Sequence, residues 1–153
     1  MNDFHLRDCA AITDLVHTYA LHVRSGEGQA CCALFTEDAV FEMHVLDPAD
    51  MSLKLHKRLE GRDAVIGHIA GATSPNARIL PMIHNLIVEV DGTQASSTCA
   101  MSAVTIPDGI DLFGEYSDSF RFTDRWLFSA RRHTILLQRP SGSARHLAGG
   151  SER

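Results

Sequence analysis

His84 interrupts an otherwise apolar run, "PMIHNLIVEVDG" at residues 81–92, in a segment that has strand composition and ends at an Asp-Gly turn. Histidine suits proton transfer because its unperturbed pKa lies near the working pH of most enzymes. A histidine on a strand can equally be a hydrogen-bonded core residue or a surface residue. The neighbouring Asn85 should point to the opposite face, and we interpret it as structural.

Three further segments carry residues that could do chemistry. Tyr116 and Asp118 lie two apart in "GEYSDSF", so they share one strand face, which is either an inward face or a solvated outer one. Arg131 and Arg132 are adjacent, so only one of them can face inward, as an anion clamp or as an ion-paired structural residue. Arg24 is either a clamp for an anionic group or a solvated charge that complements a helix C-terminus.

The metal-binding residue types show no ligand spacing. Nine histidines include no HxH, HxxxH or HExxH pattern, and His17 and His22 fall on different faces of a helix. The four cysteines form no CxxC pair, and the adjacent Cys31 and Cys32 are poorly placed to bridge each other. We therefore expect free, buried thiols, no metal and no cofactor.

Composition excludes several classes of function. The chain has 153 residues, 44% of them hydrophobic, with a net charge of −5, which predicts one globular domain. The mild acidity argues against binding to nucleic acid or to anionic membranes. No apolar run approaches the ~18 residues of a membrane span, and no secretory signal precedes the domain, so we expect a cytoplasmic protein.

Helical patterns dominate the first half of the chain. Residues 5–24 have apolar positions every three or four residues, which predicts an amphipathic helix. Residues 29–35 and 61–72 predict two shorter helices, and 39–45 a strand on which Glu42 and His44 are further pocket candidates. Residues 46–60 are polar and mixed, and we expect a long loop there.

The second half predicts four strands, at residues 78–90, 94–106, 110–123 and 126–138. Turn sequences at 91–93 and 124–125 indicate two hairpins. Helices followed by strands indicate an α+β fold, in which N-terminal helices lie across one face of a curved antiparallel sheet and enclose a pocket. We place the domain at residues 1–140 and expect a flexible tail at 141–153.

Landmarks in this order resemble the SnoaL-like branch of the nuclear-transport-factor-2-like superfamily, the α+β cone. They are "AAITDLVHTYALHV", "LFTEDAVFEM", "GRDAVIGHIA", "HNLIVEVDGTQA", "GEYSDSFRFTDRWLF" and "ARR", and the resemblance spans about residues 8–138. Members of this family include polyketide cyclases, scytalone dehydratase, a bile-acid dehydratase and a hexachlorocyclohexane dehydrochlorinase. Others are non-catalytic, such as the small subunits of ring-hydroxylating dioxygenases.

The resemblance implies roles for particular residues. It makes His84 the general base, Tyr19 a catalytic tyrosine on the first helix, and Arg131 a pocket arginine, with Arg132 as the alternate. The family's catalytic aspartate would fall at position 24, where this chain has Arg24. An arginine near an imidazole lowers its pKa rather than raising it, so the usual histidine–aspartate pair does not carry over.

The sequence therefore predicts a cofactor-independent dehydratase, isomerase or cyclase acting on a small, mostly apolar molecule. The alternative is a non-catalytic binding or accessory protein on the same fold, so catalysis itself stays an open question. The expected catalytic residues are His84, Tyr19 and Asp118. The expected substrate-binding residues are Arg24, Arg131, Tyr116 and His44. The resemblance also implies a homodimer or higher oligomer.

Overall fold

Two α-helices and a 3₁₀ helix cover one side of the sheet in the computed structural model, which describes residues 3–74 and 76–140. Helix α1 (Asp3–Arg24) buries an apolar stripe with helical spacing: Ile12, Leu15, Val16, Tyr19 and Val23. The 3₁₀ helix is Gly28–Leu34, and α2 is Arg62–Gly71. None of the helices in the described part of the chain is long and apolar enough to cross a membrane.

Six strands form one curved, unclosed sheet in the order β2-β1-β6-β5-β4-β3. Their bounds are β1 Phe35–Asp47, β2 Ser52–Glu60, β3 Arg78–Asp91, β4 Gln94–Ile106, β5 Ile110–Phe122 and β6 Trp126–Pro140. Neighbouring strands run antiparallel except β1 and β6, which are parallel. The predicted α+β class and its helix-on-sheet arrangement are confirmed, with this one parallel pair as a difference.

The expectation of a long loop at 46–60 is wrong, because residues 52–60 are an edge strand paired along β1. Its lysines and arginine are typical of the charged side chains that protect a free sheet edge, and they hid the strand pattern. The other elements match the predicted ones closely, although β1 begins four residues before the predicted strand at 39–45. The expected flexible tail at 141–153 lies outside the described residues.

Strand register brings the chemistry-bearing side chains into two neighbouring rows on the concave face of the sheet. The first row, read across β1, β6, β5 and β4, is Phe41, Arg131, Asp118 and Ser97. The second row, read across β2, β1, β6, β5 and β4, is Lys57, Met43, His133, Tyr116 and Cys99. Helix α1 lies over β3 and β6, and α2 lies over β1, so both rows are covered by helices.

Candidate functional site

A cavity of about 230 Å³ lies between the helices and the concave face of the sheet. Its walls are mainly apolar, with contributions from Val23, Phe41, Met43, Ile69, Met101 and Leu112. Its titratable side chains are two tyrosines and two histidines: Tyr19, Tyr116, His68 and His133. Apolar walls with a few convergent polar groups are the usual composition of a small-molecule site.

A buried ion pair lies behind the two tyrosines. Arg131 donates from Nε and Nη2 to the two carboxylate oxygens of Asp118, at 2.7 and 2.8 Å, and neither side chain is exposed. The guanidinium also stacks on three aromatic rings, with Cζ 4.1 Å from the Tyr19 centroid, 4.0 Å from Tyr116 and 4.6 Å from Phe128. Burial alone would lower the pKa of Arg131, but the carboxylate of Asp118 outweighs it and raises that pKa. The Asp118 charge is therefore neutralised inside the protein.

His133 is an imidazole on the cavity wall with no charge at neutral pH. Burial, helped by the nearby Arg131 and His68, lowers the pKa of His133 to about 4. Its ring lies 4.9 Å from the ring of Tyr116, centroid to centroid. Its Nε2 is buried and has no hydrogen-bond partner among the described residues. A buried nitrogen without a partner is energetically costly, so a ligand that bonds to it would stabilise the site.

His68 reaches the cavity from α2. Its ring packs against Phe41 at a centroid distance of 5.3 Å, and its Nδ1 lies 3.5 Å from Nζ of Lys57. Burial and the charge of Lys57 lower the pKa of His68. Two neutral imidazoles, from a helix and from a strand, therefore line the same cavity.

The tyrosine hydroxyls add no charge to the cavity. Burial raises the pKa of Tyr19 and of Tyr116, although Arg131 acts in the opposite direction on both. All four titratable side chains of the wall are thus neutral near pH 7. The site suits an uncharged, mostly apolar ligand, because an ionised ligand would lose its hydration without gaining a counter-charge.

Four of the residues singled out in the sequence lie together at this cavity. Tyr19 and Tyr116 line it, and Asp118 and Arg131 lie directly behind them. The shared face of Tyr116 and Asp118 is the buried one. Arg132, the alternate to Arg131, points outward and lies 3.3 Å from Glu42.

The expectation that His84 faces the cavity is wrong. His84 is exposed, and its Nε2 lies 3.0 Å from Oγ of Ser102 on the neighbouring strand. The pairing of β3 with β4 shifts between His84 and Ile87, and Asn85 adopts a positive φ of 52° there. This β-bulge breaks the alternation of side chains and turns His84 to the outer face. Because Asp118 is bound to Arg131, it forms no pair with His84.

The expected places of Arg24 and His44 in the pocket are also wrong. Arg24 is exposed at the end of α1, in an external groove beside Leu21 and Pro81. His44 lies on the outer face of β1, where its Nε2 is 2.9 Å from a carboxylate oxygen of Glu42. Strand alternation explains the second error, because Phe41 and Met43 are the side chains of β1 that face the cavity.

Sequence reasoning missed His133 and His68. His133 lies two residues after Arg131, so an inward Arg131 places His133 on the inward face as well. His68 lies three residues after Val65, on the buried side of α2. For both histidines the sequence spacing from a buried residue indicated an inward face, but no motif pointed to either position. Within residues 3–74 and 76–140, no group of three or more His, Cys, Asp or Glu side chains is arranged to hold a metal ion.

Comparison with known proteins assigns the chain to a family. The family model described as "SnoaL-like domain" matches residues 5–132, so the chain belongs to the SnoaL-like domain family. No curated protein sequence matches it. Its architecture is the one found in solved nuclear-transport-factor-2-like proteins.

Three solved structures illustrate the range of similar proteins. A candidate scytalone dehydratase from Novosphingobium aromaticivorans has a TM-score of 0.74 and 22% identity, with 94% of this chain and 93% of that one covered. The beta subunit of a candidate aromatic-ring-hydroxylating dioxygenase from the same organism has a TM-score of 0.72 and 16% identity, covering 90% and 94%. A type 2 hexachlorocyclohexane dehydrochlorinase (LinA) has a TM-score of 0.71 and 14% identity, covering 95% and 97%. At these identities the likeness establishes the fold alone.

Proposed function

We propose that this protein is a cofactor-independent lyase or isomerase whose substrate is a small, uncharged, mostly apolar organic molecule. The substrate binds in the cavity between the helices and the concave face of the sheet, called the cone cavity below. The observation that carries the proposal is the neutral His133 on an apolar cavity wall, with a buried nitrogen that no described residue satisfies. The cavity exceeds the ~150 Å³ that suffices for benzene, so a substituted or fused ring fits its size.

His133 takes the role that the sequence suggested for His84. A neutral imidazole can accept a proton from a carbon next to a carbonyl group, while the C–H electron pair forms the new C=C bond and charge moves to the carbonyl oxygen. Returning the proton to another carbon completes an isomerisation. Departure of a leaving group from the β-carbon, with its electron pair, completes an elimination.

Tyr19 and Tyr116 support this step by hydrogen bonding. Their raised pKa values keep both hydroxyls protonated, so each can donate to an oxygen on which charge develops. The rings of both tyrosines stack on Arg131, which restricts their movement. Arg131 and Asp118 act here as a scaffold that positions the tyrosines, not as a clamp for a substrate anion.

A second candidate function is ligand binding without turnover. The observation that favours it is the carboxylate of Asp118, which Arg131 occupies on both oxygens and which therefore cannot raise the basicity of a histidine. His133, with a pKa of about 4, is a weak base by comparison. The likeness to a dioxygenase beta subunit is compatible with this alternative.

Hydrogen–deuterium exchange separates the two candidates. 1-Tetralone is uncharged and mostly apolar, and it carries exchangeable protons next to its carbonyl group. We expect the wild-type protein in D₂O to accelerate deuterium incorporation at that carbon above the buffer rate, as followed by proton NMR. The His133→Phe variant should lose the acceleration, and the His84→Ala variant should keep it.

The outcomes assign the function directly. Binding of 1-tetralone and of related cyclic ketones without any exchange or elimination would favour the non-catalytic candidate. Exchange that survives in His133→Phe would refute the role of His133. Absence of binding throughout the series would refute the proposed ligand class.

A further inference from the structure

We infer that Lys57 and His68 form a second functional pair, in which Lys57 fixes the tautomer of His68 and His68 donates a hydrogen bond to a carbonyl oxygen of the ligand. The inference rests on the proposed function, since it assumes that the ligand occupies the cone cavity. It defines the ligand class more closely, as an uncharged ketone or aldehyde. It adds one residue that contacts the ligand and one positioning residue that acts through it.

The fold brings the pair together from two elements that sequence patterns do not connect. On the concave face, Met43 of β1 pairs with Lys57 on one side and with His133 on the other. Lys57 thus extends the row of cavity residues to the edge strand, where its partly buried side chain reaches α2. His68 on α2 contacts Lys57 through Nδ1 while its ring lines the cavity.

The chemistry of the two groups determines which nitrogen of His68 carries the proton. An ammonium group is only a donor, so Nδ1 must accept from Lys57 and the proton of the neutral imidazole must lie on Nε2. A positive charge beside Nδ1 also opposes a proton there electrostatically, and at 3.5 Å this repulsion does not require an ideal hydrogen bond. Burial and Lys57 together lower the pKa of His68, which keeps the ring neutral at pH 7.

A neutral Nε2–H group and an acceptor imidazole that line the same cavity make a complementary set. His133 is the acceptor, and His68 supplies a donor that polarises a carbonyl group without introducing a charge into the apolar cavity. In the enolisation step, His133 takes the proton from carbon while the carbonyl oxygen, which gains the electron density, accepts from Nε2 of His68. Nε2 keeps its proton throughout, so the step needs no further reactant.

The first experiment determines the tautomer without any ligand. Long-range proton–nitrogen correlation spectra of ¹⁵N-histidine-labelled protein distinguish Nε2–H from Nδ1–H for each imidazole. We expect His68 to be mainly the Nε2–H form in the wild type and a mixture of both forms in Lys57→Met, which keeps the apolar stem. The matched control is Lys54→Met, which removes another β2 lysine, one whose only bond to a described residue is to Asp50. An unchanged tautomer in Lys57→Met would overturn the positioning role.

The second experiment measures affinity for two ligands that differ in one oxygen. 1-Tetralone carries a carbonyl group, and tetralin has the same ring system without it. We expect His68→Phe to weaken 1-tetralone binding by roughly three- to tenfold, the value of one net hydrogen bond. Lys57→Met should weaken it by roughly twofold, because about half of the imidazole keeps the Nε2–H form in a mixed tautomer population. Neither variant should change tetralin binding. Lys54→Met should affect neither ligand.

The failure of this inference can be distinguished from that of the proposed function. If the wild type binds tetralin as tightly as 1-tetralone, or if the variants weaken both ligands equally, His68 is not a carbonyl donor, although the cavity remains a binding site. If neither ligand binds, the proposed function fails, and the ligand role of His68 fails with it.

Discussion

The buried ion pair of Asp118 and Arg131 allows a quantitative prediction of how much stability is lost when its negative charge is removed. Asp118→Asn keeps the shape of the side chain but removes its charge, which leaves the Arg131 guanidinium uncompensated where neither side chain has any exposure. Removing one partner of such a pair costs about 3–5 kcal/mol in the free energy of unfolding. For a domain of this size, roughly 2–4 °C per kcal/mol gives a fall in the melting temperature of roughly 6–20 °C.

Urea denaturation followed by tryptophan fluorescence measures this change, and calorimetry gives the melting temperature independently. The matched control is Asp38→Asn, which removes a carboxylate that also bonds to an arginine, Arg121 at 3.0 Å, but at an exposed site. We expect the control to change stability by less than about 1 kcal/mol. The double variant Asp118→Leu/Arg131→Met should be more stable than Asp118→Asn alone, because no buried charge remains.

The opposite result would refute this account of the pair. If Asp118→Asn and Asp38→Asn lower the free energy of unfolding by the same small amount, water must reach Arg131, and the three aromatic rings stacked on its guanidinium do not exclude solvent. Arg131 would then be available as an anion clamp, and the conclusion that the cavity prefers uncharged ligands would be lost.

Three further predictions concern other parts of the molecule. As the pH falls from 6.5 to 4, the wild type should lose about 3 kcal/mol of unfolding free energy relative to His133→Phe, as measured by urea titration. The reason is that the imidazole of residue 133 binds a proton in the unfolded chain over this range, whereas in the folded protein its pKa is about 4. The same pH dependence of stability in both proteins would contradict the low pKa. Gly114→Ala should destabilise the protein by about 1–3 kcal/mol in thermal unfolding, because the added Cβ would lie 1.9 Å from the carbonyl oxygen of Thr134. The control Gly67→Ala in α2 places its Cβ in free space and should not destabilise the protein; equal effects of the two variants would argue against the close approach of Gly114 to Thr134. His84→Ala should change stability by less than about 0.5 kcal/mol and leave ligand affinity, measured by calorimetry, unaltered, and a clear loss of affinity would return His84 to the site.

The sequence predicted most of the fold because its patterns are locally consistent. Helix α1 has a regular apolar stripe, and the turn sequence at 91–93 marks the end of β3 and the beginning of β4 to within one residue. Strand β2 was missed because an edge strand carries charged side chains in place of clean alternation, and the Pro48 region before it favoured a loop.

The candidate site was predicted only in part, for two physical reasons. Alternation correctly limited the inward arginine to one of Arg131 and Arg132, but the choice required the register of β6 against β5. Alternation failed at His84 because a β-bulge inserts one extra residue into β3, and no sequence pattern marks it. The spacing of His133 from Arg131 indicated which face it shares, but its role depends on its neighbours from other elements, which one sequence does not show.

The central claim is that the cone cavity binds a small, uncharged, mostly apolar molecule, and methionine methyl NMR tests it most directly. Met43 and Met101 line the cavity, whereas Met51 and Met82 are exposed outside it, so one ¹³C-methyl-labelled sample contains both the probe and its control. On titration with 1-tetralone, we expect saturable shifts of the Met43 and Met101 methyl signals and none for Met51 or Met82. Shifts confined to Met51 and Met82, or no saturable shift at all, would contradict the claim.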